Sequence, residues 1–167
     1  MSPRLRRSRG SEAGAAFVEL AIAVPVLIVL LAGVGDFARL FYWGIELSDA
    51  ARAAAQYGSA SLSNSADTAG MKSMGAAAAA DISLTSSDIS MSLSCVCSDG
   101  TGSTFSATSP SANNCAVAAA TACPTSGTHR ILMVTATATK TFSSIMRVPP
   151  LPSSLTLTRT ATERVSQ

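Results

Sequence analysis

Hydrophobic and polar positions change rhythm several times along this chain, and each change marks an element. From Gly14 to Gly35 the residues read GAAFVELAIAVPVLIVLLAGVG, with Glu19 as the one charge. At about 1.5 Å per residue this run makes a helix about 33 Å long, close to the thickness of a bilayer core. The helical rhythm does not stop there. Phe37, Leu40, Phe41, Gly44, Leu47, Ser48, Ala51, Ala54 and Ala55 recur at three- and four-residue spacing, while Asp36, Arg39, Glu46, Asp49 and Arg52 fall largely on other faces. One continuous helix from Gly14 to Tyr57 is therefore predicted, with Gly58 near its C-cap and Pro25 kinking it or tolerated inside the apolar part.

Residues 58–67 are rich in Ser, Ala and Asn and predict a loop; Ala69 to Ala80 predicts a short, weakly amphipathic second helix. The period then drops to two. Ile89, Met91, Leu93, Cys95 and Cys97 alternate with Ser90, Ser92, Ser94 and Val96, a strand pattern. After an irregular stretch at 98–129, the segment Arg130 to Phe142 alternates again, with Leu132, Val134, Ala136 and Ala138 against Thr135, Thr137 and Thr139. Pro149, Pro150 and Pro152 interrupt the chain before a last strand, Leu155 to Val165, with threonines on one side. The expected fold class is α+β: a long N-terminal helix, transmembrane and then amphipathic, packed on a small antiparallel sheet of about three strands. Such a sheet has one face to cover, and the outer half of the long helix is the obvious cover.

Composition sharpens this picture in two places. Hydrophobic residues make up 47 % of the 167, but aromatics only 5 %, so much of the apolar content is alanine and a large aromatic core is not expected. The net charge of +2 is too small to argue for nucleic acid, but its placement is informative. Arg4, Arg6, Arg7 and Arg9 precede the apolar run, against Glu12 alone. By the positive-inside rule the N-terminus stays in the cytoplasm and the rest crosses. The expected organisation is a basic cytoplasmic leader (1–14), a transmembrane helix (15–35), its extramembrane continuation (36–57) and an extracytoplasmic head (58–167). A buried core helix fits poorly with an Arg-flanked run at the extreme N-terminus. A cleaved signal peptide fits poorly with the length of the run and with the cleavage candidates Ala32, Gly33 and Gly35. Phe41, Tyr42 and Trp43, just past the run, read as an interfacial anchor that also packs against the head.

The four cysteines, Cys95, Cys97, Cys115 and Cys123, all follow the apolar run, which suits an oxidising compartment. A zinc site would call for C-x2-C pairs, which are missing. Cys95 and Cys97 share one face of a strand at about 7 Å, too far to bond each other comfortably. Two connectivities remain, each tying Cys95 and Cys97 to Cys115 and Cys123 and pinning loop 98–129 back on the sheet. Each bridge would add about 3 kcal/mol in the chain-entropy model.

Glu19 is the remaining anomaly, because an unpaired carboxylate in an apolar helix costs about 3 kcal/mol or more. Snorkelling or partial protonation would explain it in an isolated anchor. Its neighbourhood, Gly14-Ala-Ala-Phe-Val-Glu19-Leu20, resembles the type III signal of prepilins. The wider stretch Gly14–Tyr57, with Phe17-Val-Glu-Leu20, Pro25, Gly35-Asp-Phe-Ala-Arg39, Phe41-Tyr42 and Asp49-Ala-Ala-Arg-Ala53, resembles the TadE-like family, minor pseudopilins of Tad/Flp tight-adherence pili. The C-x-C strand and the closing strand Leu155–Thr162 are similar to that family's head domain. Leu20 stands where major Flp pilins usually have tyrosine, which points to a minor component, as does the length of the chain.

The resemblance implies a pilin-like fold, cleavage between Gly14 and Ala15 by a prepilin peptidase, and a register role for Glu19. Cutting there would leave a charged α-amine on Ala15 in the bilayer, and Glu19 of the same or a neighbouring helix can neutralise it. It further implies an inner-membrane, single-pass protein with a periplasmic head. Its partners would be the membrane, the peptidase, the Tad inner-membrane platform, another minor pseudopilin and the major Flp pilin.

Nothing in the chain reads as an enzyme. The single histidine, His129, cannot build a metal cluster or a relay alone, and no G-x-S-x-G, P-loop or G-x-G-x-x-G occurs. Asp67, Asp81, Asp88 and Asp99 read as turn or cap residues. No cofactor, metal or small-molecule substrate is expected. Two other readings remain open on the residues alone: a membrane-anchored extracytoplasmic binding module using loop 98–129, and an exported soluble protein whose first segment is removed.

Overall fold

The computed structural model describes residues 10–100, 105–106, 115, 123, 125–145 and 153–166. The arginines of the leader, most of loop 98–129 and the three prolines at 149, 150 and 152 lie outside the described residues.

Helix α1 runs from Gly10 to Ser59, 50 residues passing through Pro25 without a break. At about 1.5 Å per residue it is ~75 Å long, far longer than the sheet beside it. It extends beyond both expected ends, starting inside the leader and continuing through Gly58. Gly58, one residue before the helix ends, stands near its C-cap as expected. It is a point of close approach: a Cβ there would collide with Met71 Sδ and stand 3.1 Å from Val134 Cγ1. The expected loop 58–67 holds one short helix, α2 (Leu62–Ala66), whose N-cap Ser61 accepts from the Asn64 N–H at 3.2 Å. Helix α3 (Thr68–Ala78) follows at once, capped by Asp67, which accepts from the Gly70 N–H at 2.8 Å.

The strands are β1 (Ile89–Cys97), β2 (Phe105–Ser106), β3 (Arg130–Ser143) and β4 (Ser154–Arg164), in the order β2-β1-β3-β4. All pairings are antiparallel. The three long strands are those expected from the alternation; β2 adds a two-residue edge on β1, opposite Ser94 and Cys95. The register runs from Ile89 opposite Ala138 to Cys97 opposite Arg130, and from Met133 opposite Arg164 to Ser143 opposite Ser154.

Side chains alternate across this sheet. One face presents Ile89, Cys95, Cys97, Leu132, Val134, Ala136, Ala138 and Phe142, all buried. The second half of α1 lies on it, contributing Leu47, Ala50, Ala51, Ala54 and Ala55, and α3 fits beside α1 with Met71. The alanine stripe is what lets the helix approach the sheet closely. Gly75 of α3 serves the same end, since a Cβ there would lie 2.9 Å from the Ala50 carbonyl oxygen and 2.7 Å from Ile89 Cδ1. A core of this kind has no slack. Ala54→Leu, at a fully buried position, is expected to destabilise the protein by about 1–3 kcal/mol through overpacking. A lowered thermal midpoint of the full chain in detergent would show this; an unchanged midpoint would mean that the helix–sheet interface is loose.

Candidate functional site

The feature that separates this chain from a self-contained domain is the first half of α1. From Gly14 to Leu31 every residue is exposed, including the large apolar side chains from Phe17 to Leu31. Gly14, Gly33 and Gly35 have open space around them. The helix is long and apolar enough to cross a membrane, with none of its most apolar window buried. Glu19 is exposed on this segment, one helical turn after Ala15. Gly14, Ala15 and Glu19 therefore stand together on one exposed helical stretch.

Contact with the head begins abruptly at Asp36, the first residue after the apolar run. Ser144 Oγ donates to Asp36 Oδ2 at 2.6 Å, and the backbone N–H of Ile145 donates to the same carboxylate at 3.1 Å. Arg39 Nη1 sits 3.4 Å from Asp36 Oδ1, with its guanidinium carbon 5.3 Å from the centre of the Phe142 ring. Trp43 meets the same ring edge-on, centroids 5.3 Å apart at 89°. Asp36, Arg39 and Trp43 thus grip the end of β3 from one face of the helix. No local signal could have found Asp36 as a clamp, because its partners lie 108 and 109 residues away.

The aromatic cluster consequently divides. Phe41 is 70 % exposed and points away from the head. Trp43 packs inward on Phe142, partly buried against the core. The Tyr42 hydroxyl donates to Asp81 Oδ2 at 3.0 Å, and this bond, with Glu46 nearby, pushes its pKa up to about 12. Sequence proximity suggested an interfacial anchor that also packs against the head; helical geometry gives that packing to Trp43 and sends the three side chains to different neighbours.

The cysteines sit at the opposite end of the sheet. Cys95 is bonded to Cys115 and Cys97 to Cys123, with Cα separations of 5.5 and 5.9 Å. Cys95 and Cys115 are buried in the cluster of Met71, Leu132, Val134 and Val165, so one bridge is part of the core itself. His129 is exposed close by, and its backbone carbonyl accepts from the Ser98 N–H at 2.8 Å. Among the described residues no group of three His, Cys, Asp or Glu side chains is placed to hold a metal ion.

The second face of the sheet is a field of hydroxyls. Thr135, Thr137, Thr139 and Thr141 stand opposite Thr162, Thr160, Thr158 and Thr156, with Oγ1 atoms 3.0, 3.2, 3.4 and 3.5 Å apart. Ser90 and Ser92 extend two of these rows onto β1. Cross-strand threonine pairs of this sort favour the strand pairing while leaving the face polar. This face was visible in the sequence as threonines at every second position.

Residues 14–56 match the family model described as TadE-like protein. The segment is similar to TadE-like proteins. The match covers nearly all of α1, both its bare half and the alanine stripe, and stops before the head. No curated protein and no solved structure matches the chain. The match likens this segment to TadE-like proteins of Tad pili, and the helix that carries it is long and apolar enough, by length and composition, to cross a membrane.

Around the TadE-like helix, the acidic residues of the head act as caps and pins. The Gly70 N–H and the Tyr57 hydroxyl hold the Asp67 carboxyl below the usual carboxylate range, and the same Tyr57–Asp67 bond raises the tyrosine. Asp88 accepts from Lys140 Nζ and from the Thr85 N–H, both at 2.9 Å, which likewise lowers its pKa. A folded-state pKa below the unfolded value of about 3.9 stabilises the fold above that pH. The contribution is lost as pH falls through the folded value. Asp88→Asn is therefore expected to lower stability near neutral pH and to flatten the acid limb of the unfolding profile. Thermal melts of both proteins from neutral to strongly acidic pH will test this; parallel curves would show that the Lys140 pair contributes nothing.

Proposed function

We propose that this chain is a non-enzymatic, TadE-like minor pseudopilin that takes part in assembling a Tad/Flp type IV pilus. The reading rests on one observation: the segment that matches the TadE-like family includes the long apolar stretch that stands exposed outside the head. In lipid, and then against sibling helices, this surface gains partners. The protein would sit in the bacterial inner membrane with its N-terminus in the cytoplasm and its head in the periplasm, where the two disulfides are stable. A prepilin peptidase would cut between Gly14 and Ala15. The partners are that peptidase, the Tad inner-membrane platform, another minor pseudopilin and the major Flp pilin.

Glu19 has a specific task in this mechanism. Cleavage creates a positive α-amine on Ala15 at low dielectric, and a carboxylate one turn along the same helix, or on an adjacent one, neutralises it. Apolar packing alone does not fix how far one helix slides along another; a single charge pair does. Glu19→Ala is expected to leave membrane insertion intact while reducing incorporation into the assembly, read by membrane fractionation and by counting pili. Normal piliation in the variant would remove Glu19 from the mechanism.

N-terminal sequencing of the membrane-extracted protein, with and without the peptidase, tests the reading as a whole. A peptidase-dependent start at Ala15 is expected. A start at Met1 or Ser2 in both strains would favour a tethered binding module instead, and a start beyond Gly35 an exported soluble protein.

A further inference from the structure

Exposed apolar side chains stand just past the end of β3 and at the start of β4. Ile145 is 74 % exposed and Leu155 44 %, although every other large apolar residue of β3 and β4 is at least partly buried. The ends of the two strands are fastened: Ser143 pairs with Ser154, and the Ser144 N–H donates to the Ser153 carbonyl at 3.2 Å. Their exposure is a property of a built corner of the sheet.

The place of this corner along α1 is fixed by the bonds from Ser144 and Ile145 to Asp36. Asp36 directly follows the apolar run, so the corner stands where the anchor leaves the hydrocarbon. The rest of the head points the other way. Trp43 lies beside Phe142, and at the end of α1 Ser59 accepts from the N–H of Ser166, beyond β4. The disulfide end of the sheet, at Cys97 and Arg130, is the end far from the anchor. Phe37, 60 % exposed, occupies the same level as Ile145. In sequence, the residues between Ile145 and Leu155 include a single charge, Arg147.

The geometry points to a second membrane contact: Ile145 and Leu155 enter the headgroup layer of the bilayer that α1 crosses. This rests on α1 spanning that bilayer, and it adds what a lone span cannot supply. A single apolar helix in lipid is free to spin about its axis, and its tilt is set by its flanking contacts. A second apolar contact on one side of the helix removes that freedom and holds the head at one angle. The hydroxyl face of the sheet and the exposed stripe at Phe37, Phe41 and Ile45 are then presented in fixed directions along the membrane plane. An assembly partner diffusing in the same membrane meets them already oriented.

The test uses the full chain in vesicles of phosphatidylethanolamine and phosphatidylglycerol, with and without lipid brominated near the headgroup. Trp43 remains as the native reference. Ile145→Trp adds a reporter at the corner, and Ser126→Trp adds one in the turn at the far end of the sheet. Brominated lipid is expected to remove the emission added at position 145 and to leave that at position 126. Leu155→Trp gives an independent reading of the same corner should the first variant fold poorly. Full emission at both corner positions, in a chain that resists alkaline carbonate extraction, would overturn the contact while leaving the anchor standing. Extraction of the chain by carbonate would overturn the anchor, and the contact with it.

Discussion

The head releases α1 at Asp36, and the rest of the protein follows from that boundary. On one side of it a helix meets its own sheet through alanines and is satisfied within the chain. On the other side a similar length of the same helix stands exposed. An uncovered apolar surface of that extent is not stable in water. The described residues of the head leave this surface exposed, and the match of residues 14–56 to TadE-like proteins falls across that boundary. The clamp at Asp36 marks the boundary between these regimes: the Asp36 carboxylate, the Arg39 guanidinium and the Trp43 ring meet Ser144, Ile145 and Phe142 at the end of β3.

The head compensates for its composition by closeness. With few aromatics to fill space, it brings backbones together: Ala50, Ala51, Ala54 and Ala55 on α1, Gly58 where α3 presses in with Met71, and Gly75 where α3 crosses the Ala50 carbonyl. Small side chains bury little area each, so the margin is thin. Two disulfides then make up for a core that a chain this size builds poorly, one of them buried among Met71, Leu132 and Val134. The same economy leaves the far face of the sheet to threonine and serine, which favour strands and tolerate water.

This division of labour fits a component that must be inserted, held and recognised in turn. In the proposed role the helix would supply insertion and lateral packing, Glu19 a single charge to set register, and the head a rigid body on the helix end. Because α1 is unbroken from Gly10 to Ser59, any tilt imposed on the anchor is transmitted to the sheet without a joint.

Much of this was legible along the chain. Period 3.6 gave α1 as one helix, period two gave β1, β3 and β4 nearly to the residue, and C-x-C spacing on a strand excluded a bond between neighbours. Each of these signals depends on residues close in sequence, where backbone geometry alone dictates which side chains share a face. Three matters needed the tertiary structure. The short helix at Leu62–Ala66 was hidden in a loop-like composition, because what holds it is a cap at Ser61 and the burial of Ser65. Gly58 carried the residue type of a terminator, and it also serves a contact with Met71 and Val134 that no window of sequence contains. The choice among disulfide partners, the separate fates of Phe41, Tyr42 and Trp43, and the bond from Ser144 to Asp36 all join residues distant along the chain. Such pairs are set by which faces meet when the helix lies down on the sheet, and that is decided only when the whole core packs at once.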